Sequence, residues 1–70
     1  MWIDERCVCD SACTERSTAL FTNWKAWAEA AGEFVGSQKR FAQALEDRGF
    51  MSFKDSRTRQ AMFRGIALQP

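Results

Sequence analysis

Histidine and tyrosine are absent from the 70 residues, and proline occurs only once. Without them the usual general acids and bases shrink to carboxylates and lysine. No carboxylate pair, Ser-His-Asp arrangement or phosphate-cradling glycine loop stands in their place, so the chain reads as a binding module and not as an enzyme. The missing histidine also bears on metal chemistry. Cys7, Cys9 and Cys13 make a Cys-x-Cys-x3-Cys cluster, but zinc takes four ligands and only Asp10 could be a fourth. No metal and no cofactor is expected. An odd number of crowded cysteines does not build a disulfide framework. Reduced thiols, some packed as small hydrophobes, are the plainer reading. Long apolar runs are lacking too. Nothing nears the roughly 18–20 residues of a membrane span, and Asp4, Glu5 and Arg6 interrupt the start where a signal peptide would need an apolar core. The expected place is the cytoplasm, with no membrane partner.

What is present is aromatic and unevenly charged. Six Phe and three Trp occur in a chain that is 46% hydrophobic. A single domain this small buries only about 60% of its unfolded surface, so large side chains must fill its core. The net charge of +1 hides an asymmetry. Residues 1–34 carry Arg6, Arg16 and Lys25 against Asp4, Glu5, Asp10, Glu15, Glu29 and Glu33. Residues 35–70 carry Lys39, Arg40, Arg48, Lys54, Arg57, Arg59 and Arg64 against Glu46, Asp47 and Asp55. An acidic half followed by a basic half is a statement about partners.

Residues 2–9, "WIDERCVC", place Trp2, Ile3, Arg6, Cys7 and Cys9 on one side of a helix. Its abrupt start resembles the tail of a helix in a longer protein. "CDSACTE" is a polar connection, and Thr14 or Ser17 is the expected cap of the next helix. There Leu20, Phe21, Trp24, Trp27, Ala28 and Ala31 recur at the spacing of one buried face, and Gly32 ends it. The tryptophans read as core, not as a stacking platform for bases. Phe34 and Val35 are expected to tuck inward. Ser37 then caps a second helix whose inner face is Phe41, Ala44, Leu45 and Arg48, stopping at Gly49.

Two helices joined by a glycine-containing turn make a helix-turn-helix candidate. In that motif the first residues of the second helix reach the bases. Ser37, Gln38, Lys39, Arg40 and Gln43 occupy that place here. Glutamine can read adenine, and arginine or lysine guanine. Glu46 and Asp47 fall at the distal end. Then "FMSFK" (50–54) and "MFRGIAL" (62–68) read as strands of a hairpin with a polar, basic tip. Lys54, Arg57, Thr58, Arg59 and Arg64 are its candidate phosphate contacts. Gly65 suggests a bulge or a close backbone approach. The expected fold is mainly α with a small β-hairpin: a winged helix-turn-helix spanning residues 1–70 as one domain.

The stretches "ALFTNWKAWAEAAGE", "GSQKRFAQALEDRGF" and "FRGIAL" together resemble the C-terminal winged-helix domain of phage and plasmid primase–helicases, a family with poxvirus relatives. The matched positions are Trp24, Trp27 and Glu29, Ser37 to Phe41, Leu45 with Gly49 and Phe50, and Phe63 to Leu68. Phe63 stands where the family often has Trp, and Cys9 and Cys13 match no family signature. The resemblance implies a DNA-binding module, on duplex or single strand, carried behind a helicase core. It would help load or orient that enzyme on origin or template DNA in the host cell of a phage or mobile element. The chain has no phosphate loop of its own. The alternative is a winged helix that docks on a helicase domain or a neighbouring subunit, a reading that Glu46 and Asp47 favour. A free-standing transcriptional regulator is a third.

Overall fold

Two antiparallel ladders tie the beginning of the chain to its end. In a computed structural model, which describes residues 2–69, helix α1 (Trp2–Arg6) leads into strand β1 (Cys7–Val8). This strand pairs with β5 (Ala67–Leu68), Cys7 opposite Leu68 and Val8 opposite Ala67. The ladder continues outward: the Gln69 N–H donates to the Arg6 carbonyl at 2.9 Å. The helix expected over 2–9 therefore stops at Arg6. A β-branched valine beside a distant strand gains more from the ladder than from one further helical turn.

The second ladder holds β2 (Thr14–Arg16), β3 (Met51–Lys54) and β4 (Ala61–Arg64) in the order β2-β4-β3. Thr14 faces Arg64 and Arg16 faces Met62, while Met51 faces Arg64 and Phe53 faces Met62 across the hairpin. The β part thus exceeds the hairpin the sequence suggests, and the polar connection over 9–15 is in part a strand. A tight turn precedes it, closed by the Cys13 N–H on the Asp10 carbonyl at 2.9 Å. The expected strand over 62–68 is broken at Gly65, whose φ is +96°. Gly65 is also the point of closest approach. Its N–H donates to the Cys13 carbonyl at 2.9 Å, its own carbonyl accepts from Asp10 at 3.2 Å, and the Phe50 ring lies where a side chain would project.

Helix α2 (Ser17–Ala30) follows β2 without a break. Neither expected cap is used: Arg16 holds the cap position without a side-chain bond, and Ser17 is the first helical residue and buried. With Thr14 committed to the sheet, the strand itself fixes the chain's entry into the helix. Gly32 ends the turn after α2 with φ +72°.

Helix α3 (Gln38–Asp47) begins as expected, the Ser37 hydroxyl accepting from the Arg40 N–H at 3.2 Å. Gly49, φ +97°, reverses the chain after it. The Phe50 N–H then bonds the Leu45 carbonyl at 3.2 Å, closing the helix end.

The core joins Trp2, Cys7, Leu20, Phe41, Leu45, Phe63 and Ile66. Phe41 is its hub, with ring centroids at 5.6 Å to Trp2, 5.6 Å to Phe21 and 5.2 Å to Trp24. The Trp2 indole N–H donates to the Asn23 side-chain oxygen at 2.8 Å, so the ring is buried with its polar end satisfied. Trp24 and Trp27 pack against this core half-buried. Several expected inward residues differ. Ala31, Ala44 and Arg48 are exposed, and Phe34 is 80% exposed. Of the two residues expected to tuck inward after Gly32, Phe34 stays outside the core and only Val35 is half-buried. Ala31 and Arg48 fall at the cap positions past the last full turns of their helices. There a guanidinium reaches water.

Candidate nucleic-acid interface

The start of α3 is held from two sides. Ser37 caps it, and the Gln38 side-chain amide donates to the Thr18 hydroxyl on the first turn of α2 at 3.4 Å. No acidic residue sits in the first turn. Lys39 and Arg40 are exposed there and make no ion pair among the described residues. Two cations at a helix N-terminus oppose its dipole, while the exposed N–H groups of the same turn favour an anion. An external anion relieves both conditions.

Further along α3 the charge reverses. The Gln43 amide donates to the Asp47 carboxylate at 3.2 Å, an i,i+4 pair on the helix surface. Glu46 accepts from the Ser52 hydroxyl at 3.0 Å. Gln43 is thus committed toward the acidic end of the helix and not toward Lys39 and Arg40. Seven residues separate Lys39 from Glu46, about 10 Å of helical rise.

The hairpin tip is stiffened from within. One Asp55 carboxylate oxygen accepts from the Arg57 N–H at 2.7 Å and the Thr58 N–H at 3.3 Å, the geometry of an Asx turn. The Asp55 carbonyl takes the Arg59 N–H at 2.7 Å, and the Asp55 N–H bonds the Gln60 carbonyl at 2.9 Å. The Thr58 hydroxyl accepts from the Gln60 N–H at 3.4 Å, so Thr58 acts as a turn residue. Arg59 adopts a left-handed backbone, φ +59°. These bonds use main-chain donors, leaving the Lys54, Arg57 and Arg59 side chains exposed around the tip.

Arg64 stands apart from that group. It lies at the end of β4 remote from the tip, on the sheet face that also carries Thr14, Arg16, Met51, Phe53 and Met62. Arg16 is a cation that sequence reasoning does not bring to this face, because nothing local marks Thr14–Arg16 as a strand. The helix start and the hairpin tip are each the end of their element remote from Gly49, which joins α3 to β3.

A further feature lies between the helices. An apolar groove of about 420 Å³ opens between α1, α2, α3 and the turn after α2, walled by Trp24, Trp27, Phe34 and Phe41 with Arg40 on its rim.

The cysteines form no cluster for a metal: among the described residues no group of three or more His, Cys, Asp or Glu could hold one. Cys7 is buried and Cys9 exposed, and all three thiols are free. Burial, with a smaller contribution from Cys9, pushes the Cys7 thiol up to about 11. No helix among the described residues is long and apolar enough to cross a membrane. Neither a protein-family model nor a curated protein matches the chain.

Proposed function

We propose that this domain is a winged helix that binds DNA, with α3 as the recognition helix and the β3–β4 hairpin as the wing. One observation carries the reading. The strand before the helix pair and the hairpin after it share one sheet, β2-β4-β3. The helix pair and the hairpin are thereby fixed as one unit with two basic ends. Lys39 and Arg40 at the helix start meet base edges or phosphate, and Gln38 lies beside them. Lys54, Arg57 and Arg59 at the tip meet the phosphate backbone. Arg64 and Gln43 take peripheral parts, since one stacks on the sheet and the other is bonded to Asp47. The resemblance to primase–helicase C-terminal domains gives the module its setting: it loads or orients a phage or mobile-element helicase on its template.

The experiment is fluorescence anisotropy of the 70-residue chain with labelled duplex and single-stranded DNA across a salt series. Affinity that falls linearly with salt on logarithmic axes, with a slope of a few phosphate contacts, supports the reading and identifies the preferred strand state. No binding at low salt rejects it in favour of a module that docks on protein.

A further inference from the structure

The most exposed large aromatic side chain of the domain stands on the rim of its apolar groove. Phe34 is 80% exposed, and the groove beside it is walled by Trp24, Trp27 and Phe41. At about 420 Å³ the groove falls within the range of roughly 300–1,000 Å³ that sites for compact apolar groups occupy. Phe34 does not fill it. Its ring rests against Gly36, where an added Cβ would lie 3.6 Å from the ring edge and 3.4 Å from the Arg40 stem. A protruding ring beside an open aromatic groove is a knob next to a hole that it leaves unfilled.

The charges at the rim are of both signs. Glu33, next to Phe34 in the chain, and Arg40, on the first turn of α3, both line the groove. Both are exposed, and no hydrogen bond or ion pair joins their side chains to each other or to any other described side chain. In an interface built on a two-fold axis, residue i of one copy meets residue j of the other, and j meets i. Arg48 lines the groove as well, and a patch that carries a knob, a hole, an anion and cations can meet a copy of itself with opposite charges facing under that operation. A partner of a single charge sign would leave either Glu33 or Arg40 opposed by a like charge.

We infer that the groove is a self-association site: two copies of this chain pair about a two-fold axis, each placing Phe34 in the other's groove and Glu33 against the other's Arg40. Aromatic residues and arginine are the types that concentrate the energy of such interfaces. Closing the groove also removes from water the most exposed aromatic side chain of the domain. The inference stands on the groove and its rim and not on the DNA reading, although the two meet at Arg40.

Sedimentation equilibrium of the chain without DNA, from micromolar to millimolar concentration, tests it. The expected result is a monomer–dimer equilibrium, accompanied by a concentration-dependent blue shift of tryptophan fluorescence as Trp24 and Trp27 are covered. Phe34→Asp should weaken the dimer by at least about tenfold, the loss expected when an interface anchor is removed. Phe34 is too exposed for that change to disturb the fold, and circular dichroism checks this independently. Glu33→Arg and Arg40→Glu should each weaken association, and the double variant should recover it. Three outcomes overturn the inference: a monomer throughout the range, a dimer insensitive to Phe34→Asp, or a double variant no better than the two single ones. Phe34 lies outside the proposed DNA-binding residues, so a monomeric Phe34→Asp that still binds DNA separates the two claims.

Discussion

The Arg64 guanidinium lies over the ring of Phe53, 5.6 Å from its centroid. The two residues are diagonal neighbours on the outer face of the β2-β4-β3 sheet, where Arg64 sits opposite Met51 and Phe53 opposite Met62. The contact covers part of the ring, leaving Phe53 37% exposed, and turns the guanidinium toward the sheet. An exposed cation–π pair contributes about 0.5–1 kcal/mol. Arg64→Ala should therefore lower the unfolding free energy read from urea titration by a matching amount while changing DNA affinity less than Arg57→Ala does. If anisotropy titrations show equal losses for the two variants, the outer sheet face belongs to the interface.

The charge gradient along α3 predicts effects of opposite sign from its two ends. Lys39→Glu and Arg40→Glu should abolish measurable DNA binding. Arg57→Glu and Arg59→Glu should weaken it for all sequences and reduce the salt slope by about one for each phosphate no longer neutralised. Glu46→Gln with Asp47→Asn should strengthen binding, because two carboxylates on the proposed recognition helix are removed without altering side-chain shape. A docking surface for an acidic protein would respond to these variants too. The discriminating quantity is thus the slope of DNA affinity against salt, not affinity alone.

How much of this is legible in the sequence depends on how far each signal reaches. Ser37 to Gly49 reads as cap, helix and stop, and the structure agrees, because all its determinants lie within the segment. The serine precedes the first turn, Phe41 and Leu45 fall on one face, and the glycine takes the left-handed turn. Thr14–Arg16 does not read that way. Its polar residues become a strand only beside Met62–Arg64, more than 45 residues on, and no local pattern encodes that pairing. The same holds for Cys7 and Leu68. Phe34 differs for another reason: its hydrophobicity argues for burial, but it sits in the connection between α2 and α3, where no helical periodicity assigns it a face. Among candidate site residues, helix position alone puts Lys39 and Arg40 in the first turn of α3, where the structure has them. The separation of Arg64 from the hairpin tip requires the register of β3 on β4.

Two glycines with nearly equal φ should respond differently to alanine. Gly49 has φ +97° and Gly65 +96°, so each substitution carries the strain of a conformation that residues with a Cβ rarely adopt, about 1–2 kcal/mol. At Gly49 nothing lies within 4 Å of the added carbon, whereas at Gly65 it meets the Phe50 ring at 3.3 Å. Gly65 also holds the β2 turn through hydrogen bonds to Asp10 and Cys13. Gly65→Ala should thus be the more destabilising of the two in chemical denaturation. Equal losses would mean that the Phe50 ring moves aside freely.

The buried Cys7 thiol makes stability depend on alkaline pH in a defined direction. Its pKa is raised from an ordinary 9.0 to about 11, first by burial and second by Cys9. Below pH 9 the thiol is protonated in both the folded and the unfolded chain, and the contribution to stability is fully present. Between pH 9 and 11 the unfolded chain gives up this proton while the folded one keeps it, so the unfolded state binds fewer protons and stability falls. The loss over that window should be on the order of 1–2 kcal/mol. The chain has no tyrosine to add to this signal. Cys7→Ala removes the titrating group, at the cost of a small cavity that is the same at every pH. Urea titrations at pH 8 and 10.5 should therefore show a smaller pH-dependent loss for the variant than for the parent. Thiol labelling at pH 8 gives the matching kinetic result: the exposed Cys9 reacts promptly, and Cys7 only as fast as the domain opens. Equal pH dependence in the two proteins, or prompt labelling of Cys7, would show that its thiol is open to solvent in the folded state.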